Sequence, residues 1–352
     1  MPHTKITLPN FFIIGENKIA ELPNIMEFYR LRHNRVLLLG DRTTFACGGD
    51  RIARQFKQQR TKTTKRIVTN SDEKNVDRIV KIITQTKPDI VVGIGGGRVL
   101  DVAKLAAGKR KKKFISIPTT LSNDGIASPV AVIKNKQRIP ISHITRAPFG
   151  VIVDLQIVRK APIRHIRAGV GDLISNLSAV FDARLAHKRR RDKINETALA
   201  LAESGALGLL HTKQKLVKNK NFLTRLAQGL IKSGCAMCII GSSRPASGSE
   251  HKISHSLDHL FPARKTLHGE QVGIAALFTM VLQKNEYLAR VINLYRKIRF
   301  PHTVRYLSVT EKQFIEVVRR AHTFRPHRYT ILEDKETTPD VIRQIMHTVG
   351  LI

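Results

Sequence analysis

The sequence predicts a two-part chain: an α/β half built on a parallel sheet, followed by an all-helical half. Three observations carry this. Short continuous apolar runs alternate with helix-spaced segments up to about residue 155, the pattern of a parallel sheet covered on both faces. A glycine cluster, Gly93-Ile94-Gly95-Gly96-Gly97, directly follows one of those runs. Strand signals nearly vanish after Asp154, where long helical stretches take over. We therefore expect one domain over 1–155 and a second over 156–352.

The elements follow in order. Val36–Leu39 reads as a buried strand ending at Gly40-Asp41, and Arg66–Val68 as a short one. Asn75–Thr86 carries Val76, Ile79, Val80, Ile82 and Ile83, a helical spacing. Asp89–Ile94 is the next buried strand, and the glycine cluster after it opens a helix, Val99–Ala107. Phe114–Ile117 is stopped by Pro118, and Val130–Ile133 and Val151–Val153 complete the expected sheet. In the second half, Gly169-Val170-Gly171-Asp172 is expected to open a helix over Asp172–His187. Further helices are expected over Asn195–Leu216, Asn221–Ile240, Glu270–Lys297, Glu311–His322 and Pro339–Val349.

Composition removes several function classes. Apolar residues make up 42% of the 352 and charged residues 25%, which excludes a wholly disordered chain. No apolar run approaches the ~18 residues of a membrane helix. Met1–Lys5 lacks the apolar stretch of a secretory leader, and three cysteines cannot make a disulfide framework, so a cytoplasmic setting is expected. Cys235 and Cys238 sit inside an apolar helical run without a second pair, so they read as core.

Charge is the unusual quantity: 61 Lys and Arg against 27 Asp and Glu give +34. The basic knots Lys109–Lys113 and Lys188–Arg191 are not interleaved with Phe or Tyr, and Trp is absent, so a base-stacking platform is poorly supported. The plain reading is a very basic solvated surface. Weak nonspecific association with nucleic acid or anionic lipid is a secondary property of such a field.

Two loops point to a dinucleotide. Glycines after a strand let backbone approach a pyrophosphate, and the helix start supplies N–H groups. The cluster departs from the usual Rossmann fingerprint, because a frame begun at Gly93 puts Arg98 where the last glycine belongs. The second loop, Pro118–Gly125, follows another strand. Its hydroxyls can bond a nicotinamide or ribose, and Asp124 can accept from a substrate hydroxyl. Both loops fall at strand carboxyl ends, where open α/β sheets bind ligands. Asp41 could bind a ribose hydroxyl and Arg42 a 2′-phosphate, which leaves NAD and NADP both open.

The helical half offers metal ligands. His251 and His255 lie four apart on one helix face, with Asp172 before them and His268 after. Two neutral imidazoles and a carboxylate leave an open coordination position, as in a catalytic zinc site. Arg244, beside this helix, is the residue we expect to meet an anionic substrate group.

Together the segments GIGGGRVLDVAK (93–104), IPTTLSNDGIASP (117–129), GVGDLISN (169–176), GSSRPASGSEHKISHSLD (241–258), LHGEQVGI (267–274) and RYTIL (328–332) resemble the iron/zinc-dependent polyol dehydrogenase and dehydroquinate synthase superfamily. Within it they are similar to the glycerol-1-phosphate branch. The resemblance implies a dehydroquinate synthase-like fold: a Rossmann-like α/β dinucleotide-binding domain followed by an all-α metal- and substrate-binding domain. It implies one zinc ion held by Asp172, His251 and His268, with His255 facing the substrate as proton relay. NAD(H) or NADP(H) would lie on Gly95, Gly96, Gly97, Arg98, Val99, Leu100 and Asp101, on Thr119, Thr120, Leu121 and Ser122, and near Ser128. Asp124, Asp172 and His255 would contact substrate. The implied reaction reduces dihydroxyacetone phosphate to sn-glycerol 1-phosphate, the backbone of archaeal ether lipids, in a homo-oligomer. The alternatives are a glycerol dehydrogenase or a dehydroquinate-synthase-like enzyme on the same scaffold. Another class, a basic nucleic-acid or anionic-membrane binder, also remains. Lys252, His259, Arg264 and Lys265 add charge between the two metal-binding histidines, with a bearing on substrate approach.

Overall fold

The computed structural model describes residues 6–212, 217–262 and 265–352. The end of the helix expected over Asn195–Leu216, Arg264, and the opening Met1–Lys5 fall outside the described residues. The chain divides into two compact units, one ending at Pro162 and one beginning at Ile163.

The first unit contains β1 (Phe11–Gly15), α1 (Leu22–Phe28), β2 (Arg35–Gly40), α2 (Arg42–Thr44), α3 (Asp50–Gln58), β3 (Lys62–Ile67), α4 (Glu73–Thr86) and β4 (Ile90–Gly95). It continues with α5 (Gly97–Lys109), β5 (Lys113–Pro118), β6 (Val130–Lys134), β7 (Pro140–Ile144), β8 (Gly150–Asp154) and α6 (Leu155–Lys160). Six strands form one parallel sheet in the order β1-β8-β5-β4-β2-β3. All six residues of β4 and the last five of β2 are buried, which is why these runs read as continuously apolar. β3 closes one edge with Lys62, Arg66 and Ile67 exposed, charge that blunts an open edge.

Two expectations change here. Val130–Ile133 does not join the parallel sheet; it pairs antiparallel with β7 in a separate hairpin. Its burial alternates, with Ala131 and Ile133 inside and Val132 41% exposed, so only one face is covered. The sheet gains β1 instead, paired in parallel with β8. α6 packs with this unit, so the division falls after Pro162 rather than near 155.

The second unit is helical among its described residues: α7 (Ile163–Lys188), α8 (Glu196–Leu210), α9 (Lys220–Ile240), α10 (Ser249–Leu260), α11 (His268–Leu282), α12 (Leu288–Ile298), α13 (Glu311–Ala321), α14 (Ile331–Asp334) and α15 (Pro339–Thr348). The single helix expected over Glu270–Lys297 is two, broken at Asn285–Tyr287, where the Asn285 side chain caps the Tyr287 amide (3.1 Å). Gly169 and Gly171 do not open a helix; they lie inside α7, which starts at Ile163. The reason is packing. A Cβ on Gly171 would fall onto the Gly269 carbonyl oxygen, and one on Gly269 onto that of Ala168. A Cβ on Gly273 would lie 2.8 Å from the Gly171 Cα. The glycines let α7 and α11 cross backbone to backbone, which offsets their helix-propensity cost of roughly 1 kcal/mol each. No helix among the described residues is long and apolar enough to cross a membrane.

Candidate metal centre and dinucleotide edge

The α7–α11 crossing sets up the candidate metal centre. Asp172 follows Gly171 on α7, and His268 is the first residue of α11. His251 comes from the first turn of α10. One ligand atom from each of Asp172, His251 and His268 lies within 4.8 Å of the others. The His251 and His268 Nε2 atoms face each other at 3.1 Å, and His268 Nε2 is 3.8 Å from an Asp172 carboxylate oxygen.

Each ring is held from behind. His251 Nδ1 donates to Glu250 Oε1 (2.8 Å), which turns the Nε2 lone pair toward His268. The Ser254 hydroxyl lies 3.4 Å from His268 Nδ1 and donates to Gln271 Oε1 (2.6 Å). Glu270, fully buried, takes both Arg164 nitrogens (2.7 and 2.8 Å), the Tyr306 hydroxyl (2.9 Å) and the Leu267 amide (2.8 Å), fixing the start of α11. Asp182, also fully buried, accepts from Ser249 N (2.6 Å), Ile331 N (2.9 Å) and Gln283 Nε2 (3.1 Å), tying α10, α14 and the end of α11 to α7. Burial, together with the Glu250 charge, pushes its carboxyl up to about 6.

The rings are neutral. Burial and the charge of Arg325 hold His251 and His255 well below the usual imidazole range, and burial and His251 bring His268 down to about 3. The His268 side chain keeps 40% exposure, so solvent softens that shift. Two neutral rings with converging lone pairs suit a cation. A tetrahedral ion ~2.05 Å from two nitrogens holds them ~3.3 Å apart, close to the 3.1 Å found. The donor set fits a divalent metal.

His255, one turn after His251 on α10, has a buried Nε2 without a hydrogen-bond partner among the described residues. Arg325 and Arg328, which the sequence reading missed, surround this group. Arg325 donates to Ser243 and Ser247 hydroxyls (3.3 and 3.1 Å), and Arg328 to Ser243 Oγ (3.2 Å) and the Ser247 carbonyl (2.8 Å). Burial, then repulsion from Arg325 and Arg244, pushes Arg328 down to about 9. The only signal for this pair was its position just ahead of and within the RYTIL segment, far along the chain from the SSRPAS run it meets.

Arg244 sits differently from the expectation of an anion-facing side chain. It is 3% exposed, donates to the Asp182 and Tyr329 carbonyls (3.1 and 2.7 Å), and pairs with Asp192 (3.0 Å). Lys252 is likewise buried, with Nζ 2.5 Å from Glu333. Cys235 and Cys238 are buried thiols, and burial pushes Cys235 up to about 11.

The first unit carries the dinucleotide loops. Gly96, extended, caps α5, and its carbonyl takes the Val99 and Leu100 amides, both residues being buried. That leaves the Gly97 and Arg98 amides at the helix start for an anion. Thr119 N donates to Gly95 O (3.0 Å), and a Cβ on Gly96 or Gly97 would come within 3.4 Å of Thr120 Oγ1 or Asn123 Nδ2, so the loops touch. The Thr120 and Ser122 hydroxyls are 3.5 Å apart, while Leu121 is fully buried and Ser128 1% exposed. Asp101 accepts from Val132 N (3.2 Å) and meets Lys104, whose buried Nζ donates to the Gly125 and Val130 carbonyls (2.7 and 2.6 Å). Burial raises the Asp101 carboxyl. Asp101 and Lys104 thus brace the second loop, on which Asp124 starts a short 3-10 turn.

Comparison with known proteins adds three findings. The iron-containing alcohol dehydrogenase family profile matches residues 13–162. Glycerol-1-phosphate dehydrogenases (NAD(P)+) of Hyperthermus butylicus and Methanosphaera stadtmanae are 33% and 35% identical, over 99% and 98% of both chains. That of Nitrosopumilus maritimus is 35% identical over 99% of this chain and 97% of its own. Among solved structures, a probable glycerol dehydrogenase from Sinorhizobium meliloti 1021 superposes with TM-score 0.78 at 23% identity, covering 99% of this chain and 98% of that one. Glycerol dehydrogenase from Schizosaccharomyces pombe does so with TM-score 0.77 at 19% identity, covering 99% and 91%. These two share the fold.

Proposed function

The chain belongs to the glycerol-1-phosphate dehydrogenase family, and from that premise we propose that it reduces dihydroxyacetone phosphate to sn-glycerol 1-phosphate with NADH or NADPH at a zinc ion. The observation that carries this is the convergence of Asp172, His251 and His268 in a chain matching such relatives over nearly its whole length. A zinc ion supplies Lewis acidity toward the substrate oxygen, and the reduced nicotinamide supplies the hydride.

The chain's own residues aim, hold and protonate. Glu250 and Ser254 keep the His251 and His268 lone pairs turned into the site. His255 is our proton relay: its neutral ring, with Nε2 unpartnered, can give a proton from one nitrogen and regain one at the other. His255 would pass its proton to the substrate oxygen, balancing the hydride that a bound nicotinamide would supply to the carbonyl carbon. Arg325 and Arg328 are our phosphate clamp. Burial lowers both guanidinium groups, and repulsion from Arg325 and Arg244 adds to it at Arg328; a dianion would relieve that cost, and an unphosphorylated polyol could not. The Gly97 and Arg98 amides take the cofactor pyrophosphate, and Thr119, Thr120 and Ser122 line the nicotinamide end.

The test is metal analysis combined with NADH- and NADPH-driven reduction of dihydroxyacetone phosphate, with chiral analysis of the product. We expect about one zinc per chain and the sn-1 enantiomer. His268→Ala is expected to lose both metal and activity. Full turnover by metal-free protein would overturn the reading.

A further inference from the structure

All six strands of the sheet run the same way, and its order reverses at β2, where the chain steps out to β3 and back to β4. The carboxyl ends carry the glycine loop. The amino ends of β3, β2, β4, β5 and β8 therefore line up along the opposite edge, ~20 Å long at the usual strand spacing. The turns that enter these strands carry a dense row of exposed cations. Arg30, Arg32 and Arg35 enter β2, and Lys57, Arg60 and Lys62 enter β3. Lys87 precedes β4, the Lys109–Lys113 run leads into β5, and Arg146 precedes β8. Register puts them side by side: Arg35 is the partner of Lys62, and Ile90 at the start of β4 is the partner of Lys113. The carboxylates nearest in sequence are Glu27 and Asp89, and Asp89 is taken by the Arg35 amide (2.8 Å) and by Arg32 (3.3 Å). Lys109 reaches across to Asp77 on α4 (3.6 Å).

Ordinary helix chemistry does not account for this row. α1, α3, α4 and α5 end at this edge, and one cation at a helix end suits its dipole. Three or more, as before β2, β3 and β5, repel one another instead. Arg30, Arg60, Lys87 and Lys111 also hold the left-handed position of their turns (φ 49°, 58°, 42° and 52°), where glycine is the usual residue. The same edge holds the two large apolar side chains with the highest exposure among the described residues, Phe28 at 80% and Ile144 at 70%. Phe28 ends α1, just ahead of Arg30. A Cβ on Gly108 would fall 2.0 Å from Thr145 Oγ1, so Ile144 and Arg146 flank the end of α5 and its basic run. Single exposed apolar residues are common. Two projecting from a field of cations match a bilayer interface, where headgroup charge meets acyl chain. A nucleic acid would use the cations equally, but an aliphatic side chain such as Ile144 offers its bases no stacking face.

We propose that the amino edge of the sheet docks on an anionic phospholipid bilayer, with its cations on the headgroups and Phe28 and Ile144 in the interface. The inference is independent of the reaction proposed above. The chain has no Trp, so Phe28→Trp in the full-length protein supplies a single fluorescent reporter at this edge, and Ile67→Trp supplies one at the carboxyl end of β3. Vesicles of phosphatidylcholine alone are compared with vesicles containing about one third phosphatidylglycerol, at about 0.1 M salt, where the screening length is ~10 Å. Only the anionic vesicles are expected to shift the Phe28→Trp emission to the blue and to let brominated acyl chains quench it, with Ile67→Trp unmoved. Cosedimentation of the wild type should show affinity lost in about 1 M salt, where the screening length falls to ~3 Å. Arg35→Gln, Lys57→Gln and Arg110→Gln, all at exposed positions, should each lower affinity about fivefold, the scale of one basic residue at a charged membrane. Phe28→Ala should lower it about five- to tenfold. Thermal melting checks that each variant is folded. No preference for anionic vesicles, an equal response from Ile67→Trp, or an unshifted Phe28→Trp emission overturns the proposal. So does a short RNA duplex that binds in preference to the vesicles and is lost in the same Gln variants, which would make this edge a nucleic-acid surface.

Discussion

Replacing Gly171 by Ala changes one hydrogen to a methyl group, one residue from the proposed metal ligand Asp172. The methyl would land on the Gly269 carbonyl oxygen of α11, with Phe300 Cζ only 2.8 Å away on another side. The clashing carbonyl is backbone, so no rotamer change relieves it. The helices must part by roughly 1 Å or more, an overpacking cost of about 1–3 kcal/mol. Asp172 and His268 ride on the two helices that separate, starting from 3.8 Å. A zinc site tolerates only about 0.2 Å in its ligand distances. We expect zinc affinity to fall about 100-fold or more, with Tm of the metal-free protein lowered by several degrees. Competition against a fluorescent chelator measures the first and scanning calorimetry the second. Wild-type zinc affinity in Gly171→Ala, with the melting point unmoved, would refute the claim that this crossing sets the ligand geometry.

Other outcomes follow from the same contacts. Arg328→Ala is expected to raise KM for dihydroxyacetone phosphate about tenfold or more, with unphosphorylated dihydroxyacetone barely affected; equal changes for both substrates would remove the phosphate assignment. Asp182→Ala strands the Ser249 and Ile331 amides, while Gln283 keeps its bonds to Ser178, so urea unfolding should show a loss of about 2–6 kcal/mol; a loss below about 1 kcal/mol would show that the tie carries little. Acid should destabilise the metal-free protein. His251, His255 and His268 have folded values below the unfolded one near 6.5, so their stabilisation is whole above 6.5 and is lost as pH falls toward about 3 for His268. Asp182, raised to about 6, and Glu250 act oppositely by taking protons in the folded state, but they are two groups against three. Calorimetry from pH 7 to 5 should give a falling Tm, with a shallower slope in His255→Gln; a level or rising profile would contradict the burial of these rings.

Much of the architecture was legible locally. β2, β4, β5 and β8 are apolar runs buried on both faces, and that alone makes them stand out. β1 does not stand out in the sequence because an edge strand is half exposed and its Phe11–Gly15 run is short. Val130–Ile133 reads as a strand of the main sheet because an apolar run does not state its partner's direction. The sequence alone starts α7 at Asp172 because Gly169 and Gly171 look like helix breakers until the helix they touch is known. Val99 and Leu100 sit in the glycine segment but are buried, with their amides already bound to Gly96.

The sequence by itself determined the ingredients: a glycine turn after a buried strand, imidazoles four apart on one helix face, and a carboxylate and a third imidazole in segments of their own. Backbone preference and hydrophobic period act over a few residues, so they are written locally. Which side chains meet was decided only in three dimensions. Arg244 was drawn inward to carbonyls and Asp192, while Arg325 and Arg328 closed on Ser243 and Ser247 from about 80 residues away. Charge and ligand geometry depend on distances through space, and those are set by how glycine lets α7 meet α11 and by where the sheet reverses its order.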